Sequence, residues 1–232
     1  MTLKEQFGEG WYSLLEELLT SNYFYKLGSY IKDQRKSTRI IPEDKSPLLF
    51  KAFRDLQPNK IKVVILGQDP YYNPTDAFDG YAFSNSNIIK PQPSLKNIIK
   101  EIEDEYPDSI NLDRQDLSYL VEQGVLLVNT ALTVQRYKPN SHAKAWKPFT
   151  KYWISNFSSK YRDIIWILWG NNAISYKDYI KDHMGHIVLC TSHPSPLACN
   201  KNCKNYPPFI GSNVFKLANR ELEARYKSKI NW

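Results

Sequence analysis

Apolar residues recur at helical spacing from Gly10 to about Lys26, where Trp11, Leu14, Leu15 and Leu18 share one face. A second such run, Ser46 to Leu56, puts Leu48, Leu49, Ala52 and Phe53 on one side. At Ile61 the pattern changes. Ile61 to Leu66 (IKVVIL) is short, apolar and β-branched, and Gly67 closes it, which predicts a buried strand. Val125 to Val128, Ile164 to Trp169 and Ile187 to Cys190 read the same way. Helical patterns lie between and after these strands. Pro93 to about Glu105 has Pro93 and Ser94 at its start and a stripe of Leu95, Ile98, Ile99 and Ile102. Arg114 to Gln123 is helical up to Gly124, and Trp146 to Ser159, Asn172 to Lys181 and Ser212 to Tyr226 complete the set.

Buried strands alternating with helices predict an α/β fold. Its central four-stranded parallel sheet would be covered by helices on both faces and joined by right-handed crossovers. A length of 232 residues fits a single domain over 1–232, with a helical part at 1–56 and an α/β core at 57–232. The order of the strands does not follow from this pattern. No internal repeat or low-complexity tract interrupts it.

Composition adds a partner class. The net charge is +7, which favours a polyanion through phosphate neutralisation. Aromatics reach 14%, including 16 Tyr, and aromatic rings can stack on extruded bases as well as fill a core. Three cysteines, an odd number, argue against a disulfide framework and for a reducing compartment. Cys199 and Cys203 near His193 do not make a closed zinc site, so no metal is expected. The N-terminus lacks a signal-peptide pattern and no run approaches the ~18 apolar residues of a membrane span, so a soluble intracellular protein is expected: cytoplasmic if bacterial, in a host-cell compartment if viral.

Each predicted strand delivers polar residues at its carboxyl end, where open α/β sheets build their sites. The first runs into Gln68-Asp69-Pro70-Tyr71, the second into Asn129-Thr130, the third into Gly170-Asn171-Asn172 and the fourth into Ser192-His193-Pro194-Ser195. A carboxylate, an amide and an imidazole thus converge. Pro70, Pro194 and Pro196 stiffen two of the loops, as suits a preorganised site. The chain has no Gly-x-Ser-x-Gly elbow, no Gly-rich phosphate loop and no His-x-Glu with Pro-Cys-x-x-Cys. Metal-free chemistry on Asp69, Asn129 and His193 remains.

These segments resemble a known family. Gly67-Gln68-Asp69-Pro70-Tyr71 followed by Gly80-Tyr81-Ala82-Phe83-Ser84 resembles the water-activating segment of family-1 uracil-DNA glycosylases. Leu126 to Val134 resembles their uracil-recognition strand, and His193-Pro194-Ser195-Pro196-Leu197 their minor-groove intercalation loop. Pro93-Ser94-Leu95, Asn140-Ser141-His142 and Leu168-Trp169-Gly170 match as well, in the family's order along nearly the whole chain. The resemblance implies a monomer that needs no metal or cofactor and acts on uracil-containing DNA, single- or double-stranded. It names no inhibitor and no replication partner.

By the same resemblance, Asp69 orients the attacking water and stabilises charge on the sugar, while a neutral His193 donates to uracil O2. Asn129 reads the base edge, Phe83 stacks on it, Tyr71 excludes a methyl at C5, and Gln68 joins them in substrate binding. Leu197 wedges into the gap in the duplex. Pro93, Ser94, Gly170, Asn171 and Ser195 contact the DNA backbone.

Some positions depart from the family pattern. Tyr72 stands where His is usual. The following loop is one residue longer and carries Asp76 and Asp79 near the expected DNA path. Asn171 and Ala198 stand where Ser is common, and 199–208 departs most, with added Lys201 and Lys204. Shifted DNA affinity with the reaction retained is the expectation. A non-catalytic DNA-binding accessory subunit on the same fold is the alternative, disfavoured because a pure binder needs none of Asp69, Asn129 and His193.

Overall fold

The computed structural model describes residues 2–73, 77–86 and 90–232. Asp76 lies outside the described residues. In chain order the elements are α1 (Leu3–Phe7), α2 (Glu9–Leu19), α3 (Asn22–Arg35), β1 (Ile40–Ile41), α4 (Lys51–Asp55), β2 (Val63–Gly67), α5 (Pro93–Glu105), α6 (Ser118–Glu122), β3 (Val125–Asn129), β4 (Val134–Gln135), α7 (Ala143–Lys160), β5 (Ile165–Trp169), α8 (Gly170–Ile174), β6 (Ile187–Thr191) and α9 (Val214–Tyr226).

The four predicted strands form one parallel sheet of order β3-β2-β5-β6. Strands β2, β3 and β5 are buried throughout, which is why their sequences are continuous apolar runs. Strand β6 is an edge and is only partly buried over most of its length. The chain leaves β2 towards β3, returns across β2 to β5 and continues outward to β6. Loops leaving β2 and β5 therefore diverge, and a crevice opens beyond their carboxyl ends.

Several helices are shorter than the apolar pattern predicts, each for a local reason. The first run divides at Ser21, whose hydroxyl accepts from the Phe24 N–H at 3.2 Å and starts a new helix. Helix α6 begins at Ser118 because the Asp116 carboxylate accepts from both the N–H and the hydroxyl of Ser118, at 2.8 and 2.9 Å. The stretch after β5 splits into α8 and a single 3-10 turn at Lys177–Tyr179.

The first helices share the core of the sheet layers. Trp11 packs edge-on against Phe53 and Trp153, at centroid distances of 5.0 and 5.9 Å. Its indole N–H donates to the Leu56 carbonyl at 2.8 Å, so this ring buries its polar atom satisfied. A small antiparallel pair, β1 with β4, ties the segment after α3 to the chain just beyond β3. The pattern of residues gave no sign of that pair.

Candidate active site

Strand register decides where the site residues meet. Gly67 at the end of β2 pairs with Asn129 at the end of β3. The pairing continues past the strands: the Gly67 carbonyl accepts from Thr130 N–H, and the Gln68 carbonyl from Ala131 N–H, both at 2.9 Å. The Thr130 hydroxyl donates to the same Gln68 carbonyl at 3.0 Å. The turn that carries Asp69 is thereby locked onto the strand that carries Asn129. Gly67 is required here by space: a Cβ on it would stand 2.2 Å from Asn129 Oδ1 and 2.8 Å from Ala82 Cβ.

The Asp69 carboxylate is partly sheltered. Oδ2 accepts from the Asn140 N–H at 2.6 Å, and Oδ1 from the Gln68 amide at 3.4 Å. Burial raises its pKa above the ordinary 3.8, and these two hydrogen bonds oppose the rise. Asn140 holds a left-handed backbone with φ 63°, which aims its N–H at the carboxylate. Asn is one of the few non-glycine residues that adopts this conformation readily. Its anchoring role was not assigned from sequence. The sequence signal for it is the Asn140-Ser141-His142 run.

His193 is oriented by its own loop. Its Nδ1 accepts from the Ser195 N–H at 3.0 Å. A backbone amide can only donate, so Nδ1 carries no hydrogen and the neutral ring presents Nε2–H. Burial also lowers the imidazole pKa below the ordinary 6.5, because the charged form loses solvation. Gly170 makes room for this ring: it has φ 78°, and a Cβ there would lie 2.8 Å from His193 Cβ. A second support comes from α5, where the Asn97 amide donates to the Pro194 carbonyl at 2.7 Å. That contact joins the start of α5, with Pro93 and Ser94, to the imidazole loop.

Phe83 is nearly buried and has φ 66°, a strained backbone for an aromatic residue. Its ring packs 5.2 Å from Trp169 and 5.9 Å from His193. The Tyr71 hydroxyl donates to the Phe83 carbonyl at 3.1 Å, linking two sides of the site. Burial drives the Tyr71 phenol pKa upward, so it stays protonated.

Asp79 corrects an expectation. It does not face a DNA path but is buried, 5% exposed, inside its own loop. Its oxygens accept from Tyr81 N–H at 3.2 Å, Ser84 hydroxyl at 2.6 Å and Ser86 N–H at 2.9 Å. These bonds shape the turn that holds Phe83 in its strained conformation.

Gln68, Asp69, Tyr71, Phe83, Asn129 and His193 line one cavity of about 470 Å³, with Pro93, Ser94 and Ser195 at the same opening. Tyr72 lines it as well. Gly170 and Asn171 do not line it, nor does Leu197. Leu197 stands beside the opening, 84% exposed, on a loop pinned by hydrogen bonds of Ser192 to Ala198 and Phe209. Asn171 is exposed, and its side-chain Oδ1 accepts from the Cys203 thiol at 3.3 Å, so it faces the divergent 199–208 segment. Among the described residues no group of three His, Cys, Asp or Glu could hold a metal ion, and no helix is long and apolar enough to cross a membrane.

A pocket lined by an amide, a carboxylate, a neutral imidazole and aromatic rings suits a planar polar ring. Comparison with known proteins gives that geometry its family. The model of the uracil DNA glycosylase superfamily matches residues 53–222. A uracil-DNA glycosylase of Borreliella burgdorferi (strain ZS7) is 41% identical over 233 residues, 99% of this chain and 100% of the relative. One from Idiomarina loihiensis is 36% identical over 96% of this chain and 99% of the relative. The crystal structure of mimivirus uracil-DNA glycosylase superposes with a TM-score of 0.88 at 28% identity, covering 100% of this chain and 89% of that one. A second mimivirus structure, a variant in complex with UGI, superposes at 0.86 with 27% identity and covers 100% of this chain and 91% of that one. The chain belongs to the uracil DNA glycosylase superfamily.

Proposed function

We propose that the chain removes uracil from DNA by hydrolysing the bond between the base and deoxyribose, the first step of base-excision repair. One observation carries the reading most directly. The Ser195 N–H on His193 Nδ1 leaves Nε2–H as a donor, in the cavity that also holds Asp69 and Asn129.

The chemistry follows from those groups. Uracil flips out of the stack into the cavity, an extrusion that costs a few kcal/mol. Asn129 accepts from uracil N3–H and donates to O4, while Phe83 covers the ring face. Tyr71 fills the space beside C5, where thymine would bring a methyl group. The C1′–N1 bond then lengthens, leaving positive charge on the sugar and negative charge on the base. His193 Nε2–H donates to O2 as that charge grows, and Asp69 faces the sugar and holds the water. The water oxygen bonds C1′, its proton passes by way of Asp69 to solvent, and the uracil anion leaves. Gln68 holds the Asp69 carboxylate in place. Ser94 and Ser195, with the N-terminal amides of α5 behind Pro93, sit where DNA phosphates pass. Gly170 and Asn171 stand outside the cavity, Gly170 leaving room for His193 and the exposed Asn171 open to the DNA backbone, and Leu197 enters the gap left by the flipped nucleotide.

The first test is cleavage of a labelled oligonucleotide carrying one uracil, with EDTA present, followed by alkali to break abasic sites. Parallel substrates hold thymine or cytosine at that position. Cutting at uracil alone is expected. Binding without cutting would favour the accessory-subunit reading.

The pH profile tests the two titrating groups. Activity needs Asp69 ionised and His193 neutral. Burial raises the first above 3.8 and lowers the second below 6.5, so both changes fall on the acid side. The rate should climb as the pH rises through the acid range, where Asp69 loses its proton and His193 its charge, and level off by about pH 7. A rate that rose as the pH fell below about 6 would contradict the roles given to both residues.

Gly67→Ala tests the register that joins the two halves of the site. The added methyl must push Asn129 or Ala82 aside. A displacement of ~1 Å is expected to lower kcat/KM by about 10²-fold. Overpacking should also lower stability by about 1–3 kcal/mol. Kinetics and a thermal melt on the same preparation read both; unchanged kcat/KM would mean that Asn129 does not need this placement.

A further inference from the structure

The turn that delivers Asn140 to Asp69 carries a feature that the cavity does not use. Residues 137–140 are all exposed, and Tyr137 is 58% exposed. Tyr137 also holds a left-handed backbone, φ 61°, a strained conformation for an aromatic residue. The turn is well bonded. Arg136 N–H donates to the Arg39 carbonyl at 2.9 Å, Lys138 N–H to Gln135 at 3.0 Å, and Ser141 N–H to Lys138 at 3.2 Å. The Ser141 hydroxyl accepts from Gln135 N–H at 2.8 Å. A tightly bonded turn thus holds, at a cost in strain, a large ring in water. Strain of this kind concentrates at functional positions.

The surroundings of the ring suggest its use. The Arg136 guanidinium carbon lies 4.5 Å from the ring centroid and covers one face. Lys138 follows on the exposed side. Tyr137 is three residues before Asn140, so their Cα atoms lie within about 11 Å of each other. Asn140 in turn touches Asp69. The ring is therefore within reach of a strand whose nucleotide occupies the cavity. Its turn is tied to Asp69 through Asn140, whereas Leu197 belongs to the His193 loop.

We propose that the 136–138 turn is a stacking platform for an unpaired DNA base flanking the target nucleotide, with Arg136 and Lys138 meeting its phosphates. Bases in a duplex already have both faces covered, so the platform acts on single strands, where base–aromatic stacking is a general means of grip. The proposal rests on DNA being the substrate and adds a strand preference to the excision reading.

The test is binding rather than cleavage. Fluorescence anisotropy compares a labelled single-stranded oligonucleotide without uracil, and its duplex, on the parent protein and on Tyr137→Ala, Tyr137→Gly and Tyr137→Phe. Ala and Gly should weaken single-strand binding about tenfold, the loss of one stack, and change duplex binding less than about twofold; Phe should keep both. The Gly variant also relaxes the backbone, so it should melt no lower than the parent while binding single strands worse. A purely structural role predicts no loss of binding from that variant. Equal losses on single strand and duplex, or no loss from Ala, overturn the proposal. Cleavage of a uracil oligonucleotide by the parent is scored separately: a parent that grips single strands through Tyr137 but never cuts refutes excision and leaves the platform standing.

Discussion

Asp69→Asn protein is expected to excise uracil about 10³-fold more slowly than the parent at pH 7, with the affinity for DNA little changed. The substitution removes charge and keeps shape. An Asn oxygen can still accept from the Asn140 N–H, which lies 2.6 Å from Oδ2 in the parent, so the turn need not move. What disappears is a negative charge facing the sugar as it becomes positive. At an effective dielectric constant of about 20 and a separation of ~4 Å, that attraction is worth about 4 kcal/mol. Each 1.36 kcal/mol is tenfold in rate, which gives the expected 10³-fold loss. Single-turnover cleavage with enzyme in excess isolates this effect from product release. A loss under about tenfold would remove Asp69 from the centre of the mechanism. Asn140 bears on the same result, because its left-handed φ is what points the amide at the carboxylate. No side chain of residue 140 enters the argument, so its contribution is invisible to substitutions that preserve the left-handed backbone.

The sheet was legible in the sequence because β2, β3 and β5 are buried on both faces and must be apolar throughout. All four predicted strands overlap the observed ones, and the predicted helix beginning at Pro93 has the observed bounds. Helix starts were less legible where side chains competed for backbone groups. Asp116 and Ser21 are local devices, and both are ordinary residues until their hydrogen bonds are seen. Strand order was not accessible at all, since alternation of strands and helices is the same for many orders. The convergence of Asp69, Asn129 and His193 on one cavity depends on that order, with β2 next to β3 and β6 beyond β5. Asp79 was misplaced for a different reason. An acidic residue in a polar loop looks solvated by composition, and only the three donors around it make it a buried staple. Gly170 was assigned to the DNA approach, while its positive φ and its distance to His193 show a nearer structural use. The chemistry of the loops was thus readable by residue type, and their support was not, because support comes from neighbours distant in sequence.

Asn129→Leu should separate recognition of the base from the machinery that breaks the bond. Leu has nearly the shape of Asn and fills the same place at the end of β3, with Gly67 still leaving room beside it. It offers no partner to uracil N3–H or O4. Each buried group left unpaired costs about 1–3 kcal/mol. Two of them together lower kcat/KM on uracil by roughly 30-fold to 10⁴-fold at 1.4 kcal/mol per decade. Cytosine should gain little from the change, because neither residue 129 variant supplies what its edge needs. The uracil-over-cytosine preference, which a site of matched donors and acceptors can set at about 10⁴–10⁵, should therefore collapse through the loss of the right base. The loss should appear before the chemical step, since these contacts form when the base enters the cavity and strengthen little as the bond breaks. Saturating single-turnover rates on uracil should then fall much less than kcat/KM does. If the saturating rate fell as far as kcat/KM, Asn129 would have to act on the breaking bond itself. Its amide would then belong with His193, stabilising the departing base, and the division of labour between β3 and the His193 loop would need to be redrawn.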